Sequence, residues 1–286
     1  MHWKSPSCPR GDSVIETDAP PHPFDAAIAL PAAVDGRTTT RTRPEYANMV
    51  GPFGGITAAT LVRAVQQHPD RLGDPLSLTV NYAAPVADGD FDITARLVRS
   101  NRTNQHWTLE LSQEGSVRTT ATAVFGIHRD TWSDTEAGMP PVPPPDAVPA
   151  QDFPDFIAWA RNYEMRFVEG AVPDQDAGEH PDSTTTLWVR DAPARPLDFP
   201  ALASMCDVFY PRVFLRRGRY MAAGTVSLTV YFHADAAEIA AHGDDYVLGT
   251  ARTNRFSRGY FDQTAHLWGR DGTLLASSHQ LVYFKD

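Results

Sequence analysis

At 286 residues the chain is long enough for one large domain or two of ordinary size. A formal net charge of −10 argues against a broad phosphate-binding surface, and so against nucleic acid as the main partner, while still allowing an anionic small molecule held by a few clustered arginines. No run of about 20 apolar residues offers a membrane span, the opening Met1–Pro6 has no signal-like apolar stretch, and two cysteines, Cys8 and Cys206, argue against a disulfide framework, so a reducing, cytoplasmic compartment is the default expectation.

In chain order, residues 1–23 are polar and proline-bearing and read as a tail. Phe24–Leu30 and Arg37–Arg43 are predicted as strands around the Asp35-Gly36 turn signal. Gly51-Pro52-Phe53-Gly54-Gly55 then precedes Ile56–Gln67, where Ala58, Leu61, Val62 and Val65 have the spacing of a helix face. Beyond Gly73 the period becomes two: Leu76, Leu78, Val80 and Tyr82 share one face and Ser77, Thr79 and Asn81 the other. Further strands are expected at Phe91–Arg99, His106–Gln113 and Val117–Ile127, with Glu114-Gly115 as a turn.

The proline-rich segment 130–154 reads as a semi-rigid linker. The order of elements then repeats. Tyr163–Glu169 and Thr184–Val189 are predicted strands, Phe199–Tyr210 a helix, and Thr225–Phe232, Tyr246–Arg252, Tyr260–Gly269 and Thr273–Phe284 complete a sheet, with Arg270-Asp271-Gly272 as a turn. Two short matches share one offset of 150 residues: Ser77-Leu78-Thr79-Val80 with Ser227-Leu228-Thr229-Val230, and Arg102-Thr103-Asn104 with Arg252-Thr253-Asn254. Two copies of a long unit suggest a duplicated module packed as a pseudo-dimer, with a site between the copies. The expected organisation is a tail (1–23), a first module (24–129), a linker (130–154) and a second module (155–286).

Several blocks carry a family resemblance: Phe53-Gly54-Gly55 before the first helix, Ala201-Leu202-Ala203 through Asp207, Thr225 opening a strand that ends at Phe232-His233, Ser257-Arg258-Gly259, and Asp271-Gly272-x-Leu274-x-Ala276-Ser277 leading to Gln280. With these the chain resembles the acyl-CoA thioesterase II family and its thioesterase-like relatives over most of residues 24–286. The resemblance implies an α+β double hotdog, two tandem modules each with a central helix wrapped by an antiparallel sheet. It also implies hydrolysis of a fatty acyl-CoA thioester, with Asp207, Thr225 and Gln280 around the attacking water and no cofactor. The sequence departs from the family pattern after Thr225, where Val226-Ser227-Leu228 replaces the common Asp-His-Ser, and after Gln280, where Leu281-Val282 replaces Glu-Gly.

Thioester hydrolysis needs an activated water and a stabilised oxyanion. Asp207, in the apolar context Met205-Cys206-Asp207-Val208-Phe209, suits a general base if it faces inward; a helix that turns it to solvent is the alternative. Gly54 and Gly55 are candidates for backbone oxyanion donors at a helix N-terminus, or else permit tight helix–sheet packing. No acid lies between Ala47 and Pro69, so the first helix offers no counterpart to Asp207. Arg252, Arg255 and Arg258 form a candidate CoA-phosphate cluster, as do Arg96, Arg99 and Arg102, against the plainer reading of solvated charges on strand ends.

Cys206 reads as a buried cysteine rather than a nucleophile. His233, Asp235, His242 and Asp244 match no zinc spacing and read as surface loop residues, so no metal is expected. His279 should face away from Gln280, its strand neighbour. Two rival functions remain on sequence grounds: a non-catalytic acyl-CoA or lipid-binding protein, and an acyl-CoA dehydratase. The latter typically needs a histidine, and neither predicted helix contains one. A monomer and an edge-paired homo-oligomer are both allowed.

Overall fold

In the computed structural model, which describes residues 20–286, the two repeated Ser-Leu-Thr-Val segments lie side by side. Strands β2 (Asp74–Tyr82) and β8 (Ala222–Phe232) are antiparallel neighbours, with Leu78 opposite Val230, Thr79 opposite Thr229 and Val80 opposite Leu228. Antiparallel pairing of a segment with its own copy generates a pseudo-two-fold axis, and the Thr79 and Thr229 hydroxyls meet there at 3.1 Å. Cys8 and most of the expected tail lie outside the described residues.

Around this axis the remaining strands are β1 (Arg37–Arg41), β3 (Asp90–Ser100), β4 (Asn104–Gln113), β5 (Ser116–Gly126), β6 (Tyr163–Glu169), β7 (Thr185–Asp191), β9 (Val247–Arg252), β10 (Phe256–Ser257), β11 (Tyr260–Trp268) and β12 (Leu274–Lys285). They form one twelve-stranded sheet in the order β1-β3-β4-β5-β2-β8-β12-β11-β9-β7-β6, with β10 paired to β11. The inner face of each half wraps a helix, α2 (Gly54–Gln66) in the first and α3 (Phe199–Met205) in the second, and the two helices pack on one another. This is the α+β double hotdog expected. One apolar cluster runs through both halves, from Leu61, Val80 and Trp107 to Leu202, Leu228 and Ala265.

Three expectations need correction. Phe24–Leu30 is not a strand: Pro23–Ala27 form a helix, α1, with Pro23 in its first turn and the His22 ring accepting from the Phe24 N–H. Phe24, Ala27 and Ile28 are buried at helical spacing, a period that the run of small residues disguised. The second helix ends at Met205, not Tyr210. The Asp207 and Val208 N–H groups bond back three residues to Ser204 and Met205, and Pro211 excludes continuation. Asp207 therefore sits just beyond the helix rather than on it. A further short helix, α4 (Arg212–Arg217), follows. Finally, Ala236–His242 form helix α5, so Asp235 and His242 are not loop residues; Asp235 makes a capping box with Glu238.

The linker is not free chain. Val148 is buried against Trp188, Tyr246, Leu248 and Trp268 on the outer face of the second half-sheet, with Met139 and Val142 packed alongside. The Trp188 indole N–H donates to Pro143 O (2.9 Å) and Arg166 to Val148 O (2.7 Å). Proline-fixed backbone thus straps the sheet, its carbonyls held by side chains instead of by strands.

Candidate active site

The end of α3, the start of α2 and the inner face of β8 and β12 meet at one carboxylate. Gln280 is buried on β12, and its amide Nε2 donates to Asp207 Oδ1 at 2.9 Å and to Cys206 O at 3.3 Å. Thr225, on β8, donates from Oγ1 to Gln280 Oε1 at 3.2 Å. Helix α2 has no side-chain cap at its N-terminus, which leaves its first N–H groups without intrahelical partners. Asp207 faces that end of the helix, and the Gly55 N–H, like the Gln280 amide, lowers its pKa. A Cβ built on Gly54 would stand 2.7 Å from Asp207 Oδ2, and one on Gly55 2.6 Å from Ser204 O. Gly55 thus permits close approach of α3 to α2, while Gly54 is packed between Asp207 of the second module and the Tyr82 ring of β2.

The electrostatics follow from this packing. Burial raises the Asp207 pKa to about 7, against the lowering effect of Gln280 and the Gly55 N–H. The positive end of α2 adds a fixed attraction for its negative form. Cys206 is fully buried, and burial pushes its thiol well above the ordinary range, so it is held neutral beside the carboxylate.

Asp207, Thr225, Gln280, Gly54 and Gly55 are thus brought together, contributed by both modules. The arginines are not gathered in the same way. Directly opposed residues of an antiparallel pair share a face. Arg252 opposes Thr264, which opposes His279, while Gln263 opposes Gln280. Arg252 and His279 therefore lie on the outer face, away from Gln280, with His279 contacting Asp262 at 3.3 Å. Arg255 and Arg258 are exposed in the loop and hairpin that follow β9. Arg96, Arg99 and Arg102 are exposed in the first half-sheet. Among the described residues no three His, Cys, Asp or Glu side chains converge on a metal position. His233 instead contacts the Ser277 hydroxyl at 2.8 Å and His242 the Asp245 carbonyl at 3.0 Å.

Comparison with known sequences gives this geometry a family. The sequence model of the acyl-CoA thioesterase N-terminal domain matches residues 43–126, and that of the acyl-CoA thioesterase C-terminal domain matches residues 139–284. The chain belongs to the acyl-CoA thioesterase family. A search of curated proteins gives no match. Among solved structures, a protein of unknown function with a hot dog fold from Alicyclobacillus acidocaldarius is 51% identical, with a TM-score of 0.88, covering 93% of this chain and 99% of its own. A putative thioesterase II from Thermobifida fusca is 22% identical with a TM-score of 0.79, covering 94% and 99% of the two chains. The tesB protein of Mycobacterium avium subs paratuberculosis is 19% identical with a TM-score of 0.76, covering 92% and 98%. These last two share the fold.

The pseudo-symmetry shows how unequal the halves of this thioesterase-family protein are. Leu78 and Leu228 are repeat partners; Leu228 opposes Gln280, and Leu78 opposes Ala123. Thr225 opposes Val282, and its counterpart Pro75 opposes Phe125. Next along the row, Gln263 opposes Gln280 whereas Trp107 opposes Ala123. A polar row in the second half thus stands where the first is apolar. Sequence reasoning missed Gln263, only 1% exposed, and Tyr82, whose hydroxyl donates to Gly54 O at 2.8 Å. The signal for Gln263 was a glutamine on the same strand face as Phe261 and Ala265; for Tyr82 it was the alternation that set it inward with Leu78 and Val80.

Proposed function

We propose that this protein hydrolyses fatty acyl-CoA thioesters to free acid and CoA, with Asp207 as general base. The observation that carries the reading is a half-buried carboxylate near neutrality, bonded by Gln280 and set against the open N-terminus of α2. The Gln280 amide donates to Asp207 and Cys206, and the Thr225 proton goes to Gln280, so what Thr225 and Gln280 still offer is lone pairs. Together with Asp207 these are acceptors. They suit a water that donates both protons to the protein and turns its own lone pair to the thioester carbon.

As the water oxygen adds to that carbon, its proton passes to Asp207 and the carbonyl oxygen becomes an oxyanion. The uncapped start of α2 at Gly54 and Gly55 is the place that suits the oxyanion, aided by the helix dipole. Collapse of the tetrahedral adduct breaks the C–S bond, and the proton on Asp207 goes to the departing CoA thiolate. Arg255 and Arg258 are the cations that suit the CoA phosphates; the face on which Arg252 lies makes it a weaker candidate.

The test is thiol release from short, medium and long acyl-CoAs by wild type and Asp207→Asn. Loss of about 10²–10⁴-fold in kcat, with CoA-ester binding retained, is expected for removal of a general base. Undiminished turnover in Asp207→Asn would sink the assignment. Absence of cleavage by wild type, with CoA esters still raising Tm, would leave a binding protein.

A further inference from the structure

We propose that Tyr82 is a positioning residue that acts on Asp207 through the Gly54–Gly55 peptide group, so that a first-module phenol tunes the second-module base. This rests on the reading of Asp207 as that base. The Tyr82 hydroxyl donates to Gly54 O at 2.8 Å. The carbonyl of Gly54 and the N–H of Gly55 belong to one planar peptide unit, and that N–H lowers the Asp207 pKa. A donor on the carbonyl polarises the amide, and a polarised amide is a stronger N–H donor. The influence therefore runs from the Tyr82 O–H, through C=O and N–H, towards the carboxylate.

Spatial relations agree. A Cβ built on Gly54 would lie 2.7 Å from Asp207 Oδ2 and 3.3 Å from the Tyr82 hydroxyl oxygen, so both groups flank the same peptide. Burial and the nearby Asp207 charge hold the Tyr82 phenol well above its ordinary pKa, so it stays a donor wherever Asp207 titrates. The other titratable groups that sense Asp207 are Tyr163 on β6 and Cys206 at the end of α3, both also pushed up and neutral. From β12 the contact is the neutral amide of Gln280, and the first turn of α2 carries no acid. No charged side chain among the described residues competes with the amide relay for control of Asp207.

The experiment is the pH dependence of kcat/KM for thiol release from one acyl-CoA, with wild type, Tyr82→Phe and protein carrying 3,5-difluorotyrosine at position 82. Removing the hydroxyl should move the acid limb towards alkaline pH and lower the rate at pH 6 about twofold, the fraction of a charge-assisted hydrogen bond that polarisation by a neighbouring bond adds. The fluorinated phenol, a stronger donor with nearly the same shape, should move the limb the other way and keeps the test decisive if Tyr82→Phe folds poorly. A limb unmoved in both proteins would overturn the proposal, even if the rates fall, because that is what a packing role alone predicts. Asp207→Asn run in parallel separates the two readings: turnover that survives there removes the base itself, whereas a dead Asp207→Asn beside an unmoved limb removes only Tyr82.

Discussion

Asp207 is pulled in two directions: burial favours its neutral form, while Gln280, the Gly55 N–H and the α2 dipole favour the ionised one. With a pKa of about 7 it is half-ionised near neutrality, where a base combines availability with proton affinity. The rate should therefore climb through pH 7 and level off above it. A kcat/KM profile that stays flat down to pH 5 would be incompatible with Asp207 as the base. Position matters as much as charge. Gly54→Ala places a methyl group 2.7 Å from Asp207 Oδ2, and displacement of a catalytic group by about 1 Å can cost about 10²-fold. Gly138→Ala, whose Cβ meets nothing within 4 Å, serves as the neutral comparison. If both variants keep wild-type kcat, the close approach at Gly54 has no catalytic meaning.

Between elements, one guanidinium joins three carboxylates. Arg195 contacts Asp25 of α1 at 2.9 Å, Asp198 at the N-cap of α3 at 2.8 Å and Asp191 at the end of β7 at 3.5 Å, and lies 4.9 Å over the Phe24 ring. Asp191 is 2% exposed, and neither of its oxygens makes a hydrogen bond. Burial raises its pKa from 3.8 to about 7. The folded protein thus keeps a proton that the unfolded chain loses earlier, so stability falls as pH climbs from about 4 through 7. Asp191→Asn removes that penalty. Its Tm should gain on wild type steadily between pH 5 and 8, by the equivalent of about 1–3 kcal/mol at the upper end. A gap that is constant, or that shrinks with pH, would mean that Asp191 is ionised and sustained by Arg195. None of this cluster was legible in the sequence, because its members are spread over α1, β7 and α3 and only the fold assembles them. Strand alternation, by contrast, placed β2 to β5, β8, β9, β11 and β12 within a few residues, since one buried face forces a period of two. Asp207, Thr225 and Gln280 stood out through their resemblance to a family, not through spacing. Tyr82 acts through a peptide bond, for which a sequence has no motif.

At the scale of the whole molecule, the site is a property of the asymmetry between two copies. Helix α3 is closed at its N-terminus by its own side chain, Asp198, which accepts from the Ala201 N–H at 2.8 Å. Helix α2 lacks such a cap and receives Asp207 from the other module. The pseudo-symmetric location has Ala123 for Gln280 and Pro75 for Thr225, and a proline ring and a methyl group cannot hold a water. Among the described residues the Thr225–Gln280–Asp207 arrangement thus occurs once, in modules that pair through β2 and β8 and bury a single continuous core. Such a chain should unfold in one calorimetric transition, because neither half keeps its inner face covered without the other. Titration with a non-hydrolysable acyl-CoA thioether should give a stoichiometry of about one ligand per chain, as the polar positions Thr225 and Gln280 have only Pro75 and Ala123 as counterparts in the first module. A stoichiometry of two would show that the first-module location still binds, and that duplication had silenced its chemistry without closing its pocket.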